Sequence, residues 1–316
     1  MEKSLKILWI ISIIITQQLA ILANASHPRK RIVPALYVFG DSTVDAGNNN
    51  NLNTLAKANA FPYGIDFNNC STGRFSNGKT LADLIAIRLG LPMPPPYLGV
   101  PKSMRNQVIR GINYASGSCG ILNSTRAGDC LSLDKQIEYF TSTVANDLPR
   151  SIHNKTKLSH YLANSLYLIS IGSNDYMLNY FKYPNGTNNN LNPEKYADYL
   201  LEQLASRIKR IYDLGARKFV ISRIGEIGCT PACVIRTPYS QKCNEDINQK
   251  SQNTQTDSSS YSHPHPHPTK ALKPPPPNAL QLSLSNSSLF VRLLCDAGVV
   301  AAQRRVLGLE LERCRE

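Results

Sequence analysis

The chain has 316 residues, 42% hydrophobic and 18% charged, which suits one large domain or two small ones and leaves room for a sizeable core. That composition excludes a collagen, a coiled coil and a wholly disordered polymer. The 35 Lys and Arg outnumber the 22 Asp and Glu, giving a net charge of +13, yet no dense basic run with interleaved aromatics occurs, so no nucleic-acid partner is expected.

At the start of the chain, Lys3 and Lys6 precede an apolar run from Ile7 to Ile15, and a small-residue site follows at Ala23-Asn24-Ala25. This order predicts a secretory signal peptide over residues 1–25 and a secreted product, extracellular or held in a cell wall. The run is shorter than the roughly 20 residues of a spanning helix, so no stable membrane insertion is expected. Acceptor sequences for N-glycosylation begin at Asn69, Asn123, Asn154, Asn185 and Asn286. The 8 cysteines suit disulfides in an exported chain. Cys119 and Cys130, and likewise Cys229 and Cys243, are near enough in sequence to staple loops. A metal site is the poorer reading, because no Cys-x-x-Cys pair is present and no His lies close by.

From Pro34 to about Gln249 strands and helices alternate. Leu36 to Phe39 is a short apolar strand that ends at Gly40, and Lys79 to Leu89 is a helix that ends at Gly90. Leu166 to Ile171 is a second strand. A long helix follows, with Asn192 as its cap, Pro193 in its first turn, a stripe of Tyr196, Leu200, Leu204, Ile208 and Ile211, and a stop at Gly215. Lys218 to Ser222 is a third strand. Such alternation predicts an α/β fold with a parallel sheet covered on both faces. After Lys250 the pattern fails. Residues 251–260 contain no apolar side chain, and His263-Pro-His-Pro-His-Pro268 and Pro274 to Pro277 follow. An α/β domain over 26–250 and a low-complexity tail over 251–316, disordered or foreign to the fold, are expected. The alternating histidines offer no fixed geometry for a metal.

In an open parallel sheet, functional groups collect where the strands end at their carboxyl edge. The first strand leads into Gly40-Asp41-Ser42-Thr43, where Ser42 could be presented as a nucleophile or could serve as an ordinary turn residue. Gly111 to Gly120 is a second loop of small residues whose backbone N–H groups could serve an oxyanion. Gly172-Ser173-Asn174-Asp175 is a third, where Asn174 could donate an amide into the same site or cap a helix.

Together, Phe39-Gly-Asp-Ser-Thr-Val-Asp-Ala-Gly-Asn-Asn-Asn50, Gly111-Ile-Asn-Tyr-Ala-Ser-Gly117 and Ile171-Gly-Ser-Asn-Asp-Tyr176 resemble the plant GDSL esterase/lipases of the SGNH hydrolase superfamily. Gly73-Arg-Phe-Ser-Asn-Gly-Lys79 and Ile227-Gly-Cys-Thr-Pro231 extend the likeness, which runs from about Pro34 to Ile247. The resemblance implies a three-layer, flavodoxin-like α/β/α sandwich with a mostly parallel sheet, incomplete at its C-terminus. It implies Ser42 as nucleophile, and an oxyanion hole made by the N–H of Ser42, the N–H of Gly117 and the side-chain amide of Asn174. The choice of Gly117 over Gly111 or Gly120 follows the family pattern alone. Substrates would be carboxylic esters, acyl lipids or acetylated wall components, with no cofactor and no metal.

The family's general base, a histidine with an aspartate three residues before it, is missing. The residues three positions before His27, His153, His160, His263, His265 and His267 are Asn24, Arg150, Lys157, Ser260, Ser262 and Pro264. His153 and His160 precede the second strand, at the wrong end of the sheet. The expectation is therefore a secreted serine ester hydrolase by family, weakly active or inactive as this chain stands, with a tail that does not encode the family's remainder. The alternative is a catalytically dead secreted protein that binds an acyl or glycan ligand. A nucleotide-binding domain is set aside, because neither a Gly-x-Gly-x-x-Gly turn nor a Walker loop is present.

Overall fold

The computed structural model describes residues 31–126, 128–181, 191–234, 242–252 and 280–283. The expected signal peptide, most of the tail, His27 and the three tail histidines, and the acceptors Asn185 and Asn286 lie outside them. The chain divides into two compact units after Ile32, and the second holds every element named below.

Three parallel strands form the centre of the sheet: β1 (Leu36–Gly40), β2 (Leu166–Ser170) and β3 (Lys218–Ile221), in register Leu36↔Leu166 and Leu166↔Lys218. They are the three strands the sequence predicts, to within a residue at each end. On the far side of β1 the segment 110–116 runs alongside it: Leu36 and Val38 donate to the carbonyls of Arg110 and Ile112, and Tyr114 and Ser116 donate back to Val38 and Gly40. At the other edge β4 (Leu280–Ser283), from the tail, pairs parallel to β3.

Alternation along β1 sorts two cores. Tyr37 and Phe39 point to one face, with Tyr114, Tyr167, Phe140 and Ile169, while Leu36 and Val38 point to the other, with Leu168 and Val220. The aromatic face is covered by three helices, α2 (Leu133–Ser142), α3 (Lys155–Asn164) and α4 (Pro193–Asp213), and the aliphatic face by α1 (Leu81–Arg88). Helices thus lie on both sides of the sheet, as expected. Ring pairs carry the aromatic core: Tyr37 stacks on Tyr167 with centroids 5.5 Å apart, and Phe39 on Tyr114 at 5.2 Å.

Local chemistry fixes where these helices begin. The Asn192 side chain accepts the N–H of Lys195, with Pro193 in the first turn, as the sequence predicts for α4. Thr80 and Asp83 form a capping box on α1. Asp83 also takes a two-pronged bond from the buried Arg74, through Nε at 2.8 Å and Nη2 at 3.0 Å. Arg74 Nη1 also lies 3.4 Å from the Ala46 carbonyl, so the pair links α1 to the loop after β1. Arg207 and Arg210 of α4 both bond Asp134 of α2, joining the two helices. Both expected disulfides form, Cys119–Cys130 and Cys229–Cys243. Among the described residues no helix is long and apolar enough to cross a membrane.

Candidate active site

Three loops leave the carboxyl edge of the sheet, and hydrogen bonds weld them together. The first turns at Gly40, whose φ of +156° brings its Cα so close to β2 that a Cβ would lie 2.2 Å from the Ser170 carbonyl oxygen. Gln136 of α2, fully buried, accepts the Gly40 N–H and donates to the Gly40 and Leu131 carbonyls. The Asp41 N–H donates to the Ser170 carbonyl, and its carboxylate accepts both the N–H and the hydroxyl of Thr43. Ser42 stands half-buried between these clamped neighbours. Among the described residues its hydroxyl and its N–H have no hydrogen-bond partner, which leaves both free to meet a ligand.

The residues that set the second loop against the first were not singled out by sequence. Asp45 accepts the N–H groups of Gly47, Asn48 and Gly117. Asn48 donates to the carbonyls of Asn113 and Ala115, and Asn113 donates back to the carbonyl of Val44. Asn49 uses its whole side chain: Nδ2 donates to the carbonyls of Ala56 and Gly117, and Oδ1 accepts the Ser116 hydroxyl and the Gly117 N–H. Asp45, Asn48 and Asn49 are all buried. They fall inside the Asp45-x-x-Asn48-Asn49 stretch quoted for the resemblance, so the signal was present, but nothing in the sequence tells which partners they hold.

This network bears on the expected oxyanion hole. The Gly117 N–H, expected to face an oxyanion, is committed to Asp45 at 3.0 Å and Asn49 at 3.1 Å. The loop's amides without an acceptor among the described residues include the next one, Ser118, whose φ of +70° turns the chain sharply at that point. The Cys119–Cys130 disulfide ties down the same loop.

The third loop starts at Gly172 and places Asn174 in a single helical turn, Ser173–Asp175. Asn174 is buried and donates one amide hydrogen to the Cys119 carbonyl at 2.8 Å, which joins it to the second loop and leaves its other hydrogen available. Asp175 accepts the N–H groups of Ile121 and Leu122 and the hydroxyl of Thr125. Burial pushes the carboxyls of Asp41, Asp45 and Asp175 up to about 6, against the backbone and side-chain donors that lower them. The loops that carry Ser42, Ser116–Cys119 and Asn174 therefore meet at one edge.

No described histidine joins them. His153 and His160 are exposed and belong to the segment entering β2 at its amino end, opposite Ser42, and His160 instead packs its ring against the Asn164 amide. Glu226, Cys229 and Cys243 lie close enough to suggest a metal site, but both sulfurs are spent on a disulfide.

A family model described as GDSL-like lipase/acylhydrolase matches residues 36–261. The chain belongs to the GDSL lipase/acylhydrolase family. It is 43% identical over 220 residues to GDSL esterase/lipase At1g71691 of Arabidopsis thaliana, covering 69% of this chain and 56% of that one. It is 46% identical over 212 residues to GDSL esterase/lipase 7 of the same plant, covering 66% and 57%. GDSL esterase/lipase At2g04020 matches at 44% over 207 residues, covering 65% and 62%. The chain thus spans little more than half the length of these curated relatives. The matched residues include all three loops.

Proposed function

We propose that this chain carries the nucleophile and oxyanion half of a carboxylic ester or lipid acyl hydrolase. Ser42 Oγ would attack the ester carbonyl carbon, the alcohol would leave with a proton, and water would then release the acid and restore the serine. The oxyanion would sit among the N–H of Ser42, the N–H of Ser118 and the free amide hydrogen of Asn174. Each such donor contributes about 3 kcal/mol to the transition state. The observation that carries this reading is the unbonded Ser42 hydroxyl at the end of β1, flanked by residues that are all clamped. The serine's proton has no acceptor among the described histidines, so turnover by this chain is expected to be weak or nil. That same lack supports a second reading, a secreted binder of an acyl or glycan ligand at the same site.

Both readings include export and glycosylation. Disulfides favour an oxidising compartment. Asn69 and Asn154 are exposed acceptors, whereas Thr125 of the Asn123 acceptor is buried on Asp175, so a sugar on Asn123 would have to precede folding.

The deciding experiment compares the full chain with Ser42→Ala, using a fluorophosphonate probe and p-nitrophenyl butyrate hydrolysis. Labelling and turnover that vanish in Ser42→Ala support the hydrolase. Absence of both in the folded parent, with ester analogues bound equally by parent and variant, supports the binder and ends the hydrolase reading.

A further inference from the structure

The opposite edge of the sheet has a character of its own. No Asp or Glu occurs between Asp83 and Asp129, nor between Asp147 and Asp175. These two acid-free stretches are far apart in sequence, and the fold brings part of each, around residues 102–110 and 150–161, to the amino edge. Arg110 enters it through the bond from Leu36 N–H to its carbonyl. The Tyr161 hydroxyl of α3 donates to the Ile109 carbonyl, and the Ser151 hydroxyl to the Asn106 carbonyl, which docks the second stretch on the first. Lys102, Arg105 and Arg150 lie near the buried Asp147, and Asp213, which ends α4 just before the amino end of β3, is paired with Lys209.

The helix α3 strengthens the asymmetry. Its first turn carries Lys155 and Lys157 and no acid, although the positive end of a helix dipole disfavours cations there. Lys102, Arg150, Lys155 and Lys157 are all exposed. Like charges gathered on one face at an electrostatic cost are what an anionic polymer would relieve.

We propose that this amino edge is a docking face for an acidic polysaccharide, a polymer of carboxylate-bearing sugars, on the side of the protein away from Ser42. The charge supplies complementarity. The disulfides favour an oxidising compartment, where such polymers rather than nucleic acid are the polyanions met. Arg105 lies over the Tyr97 ring at 3.8 Å, so that aromatic face is already taken and cannot stack a base. Among the described residues of these stretches Ile87 and Met104 are the large apolar side chains left exposed, too little for insertion into a bilayer.

The test uses the full chain, and Thr156→Ala beside it, which removes the Asn154 acceptor sequence while keeping the Asn154 cap, so that a sugar cannot mask the face. Binding to immobilised polygalacturonate is measured against salt. The triple variant Arg150→Glu/Lys155→Glu/Lys157→Glu is expected to bind at least tenfold more weakly, with a shallower dependence of log affinity on log salt. Glutamates suit a helix N-terminus, so this variant should fold. The control Lys79→Glu/Lys135→Glu/Lys195→Glu makes the same change in net charge elsewhere and should bind within threefold of the parent. The proposal is overturned if neither the parent nor Thr156→Ala binds, if both triples lose affinity equally, or if duplex DNA or phosphatidylserine vesicles bind more tightly than polygalacturonate. None of these results depends on ester hydrolysis.

Discussion

The two edges of one sheet have been built by opposite means. At the carboxyl edge, buried Asp and Asn side chains hold loop backbone in place, with Asp45, Asn48, Asn49 and Asn113 bonding across some 65 to 72 residues of sequence. At the amino edge, cations stand in solvent with few partners. Specific geometry is expensive to disturb and a surface field is cheap to disturb, so substitutions at the two edges should differ by several kcal/mol.

The largest stability effect is expected at Arg74. Arg74→Ala leaves the Asp83 carboxylate buried without its partner and should cost about 3–5 kcal/mol, measured by denaturant unfolding. Asn49→Ala strands the Ser116 hydroxyl and the carbonyls of Ala56 and Gly117, and should cost about 3 kcal/mol while slowing fluorophosphonate capture by Ser42 at least tenfold. A loss of stability with unchanged capture would show that the second loop does not shape the site.

The carboxyl edge should also respond to pH. Asp41, Asp45 and Asp175 titrate near 6 in the folded protein and near 3.8 in the unfolded chain. The folded state holds their protons more tightly, so their contribution to stability is full below about 4 and is lost as pH rises through 6. The melting temperature should carry this downward trend from pH 4 to 7, and Asp175→Asn should flatten it. The smallest effect belongs to the amino edge. Asn154→Ala removes the α3 cap and should cost about 1 kcal/mol with Ser42 reactivity unchanged, as compared by unfolding and probe capture.

What the sequence made legible follows the same division. The three strands and the helices α1 and α4 could be read because apolar periodicity, Asn192, Pro193 and the terminal glycines are local signals. The helices α2 and α3 were passed over. The buried stripe of α2 includes Gln136, a polar residue that reads as solvent-facing until its bonds to Gly40 are seen. Ser42 and Asn174 were singled out from their blocks, and the structure brings the loops that carry them to one edge of the sheet. The direction of the Gly117 N–H was not legible, because a backbone amide has no side chain to betray where it points, and its acceptors lie 68 and 72 residues away.

Asn49 and Ser42 are seven positions apart and have opposite tolerances. Asn49 fills two donor and two acceptor roles at once, so Asp, lacking donors, and Gln, a carbon longer, both fail to replace it. Ser42 supports nothing but itself. Ser42 can therefore be exchanged by one codon without touching the frame that surrounds it, so a lineage that changed this position would retain the shape of the three-loop edge long afterwards.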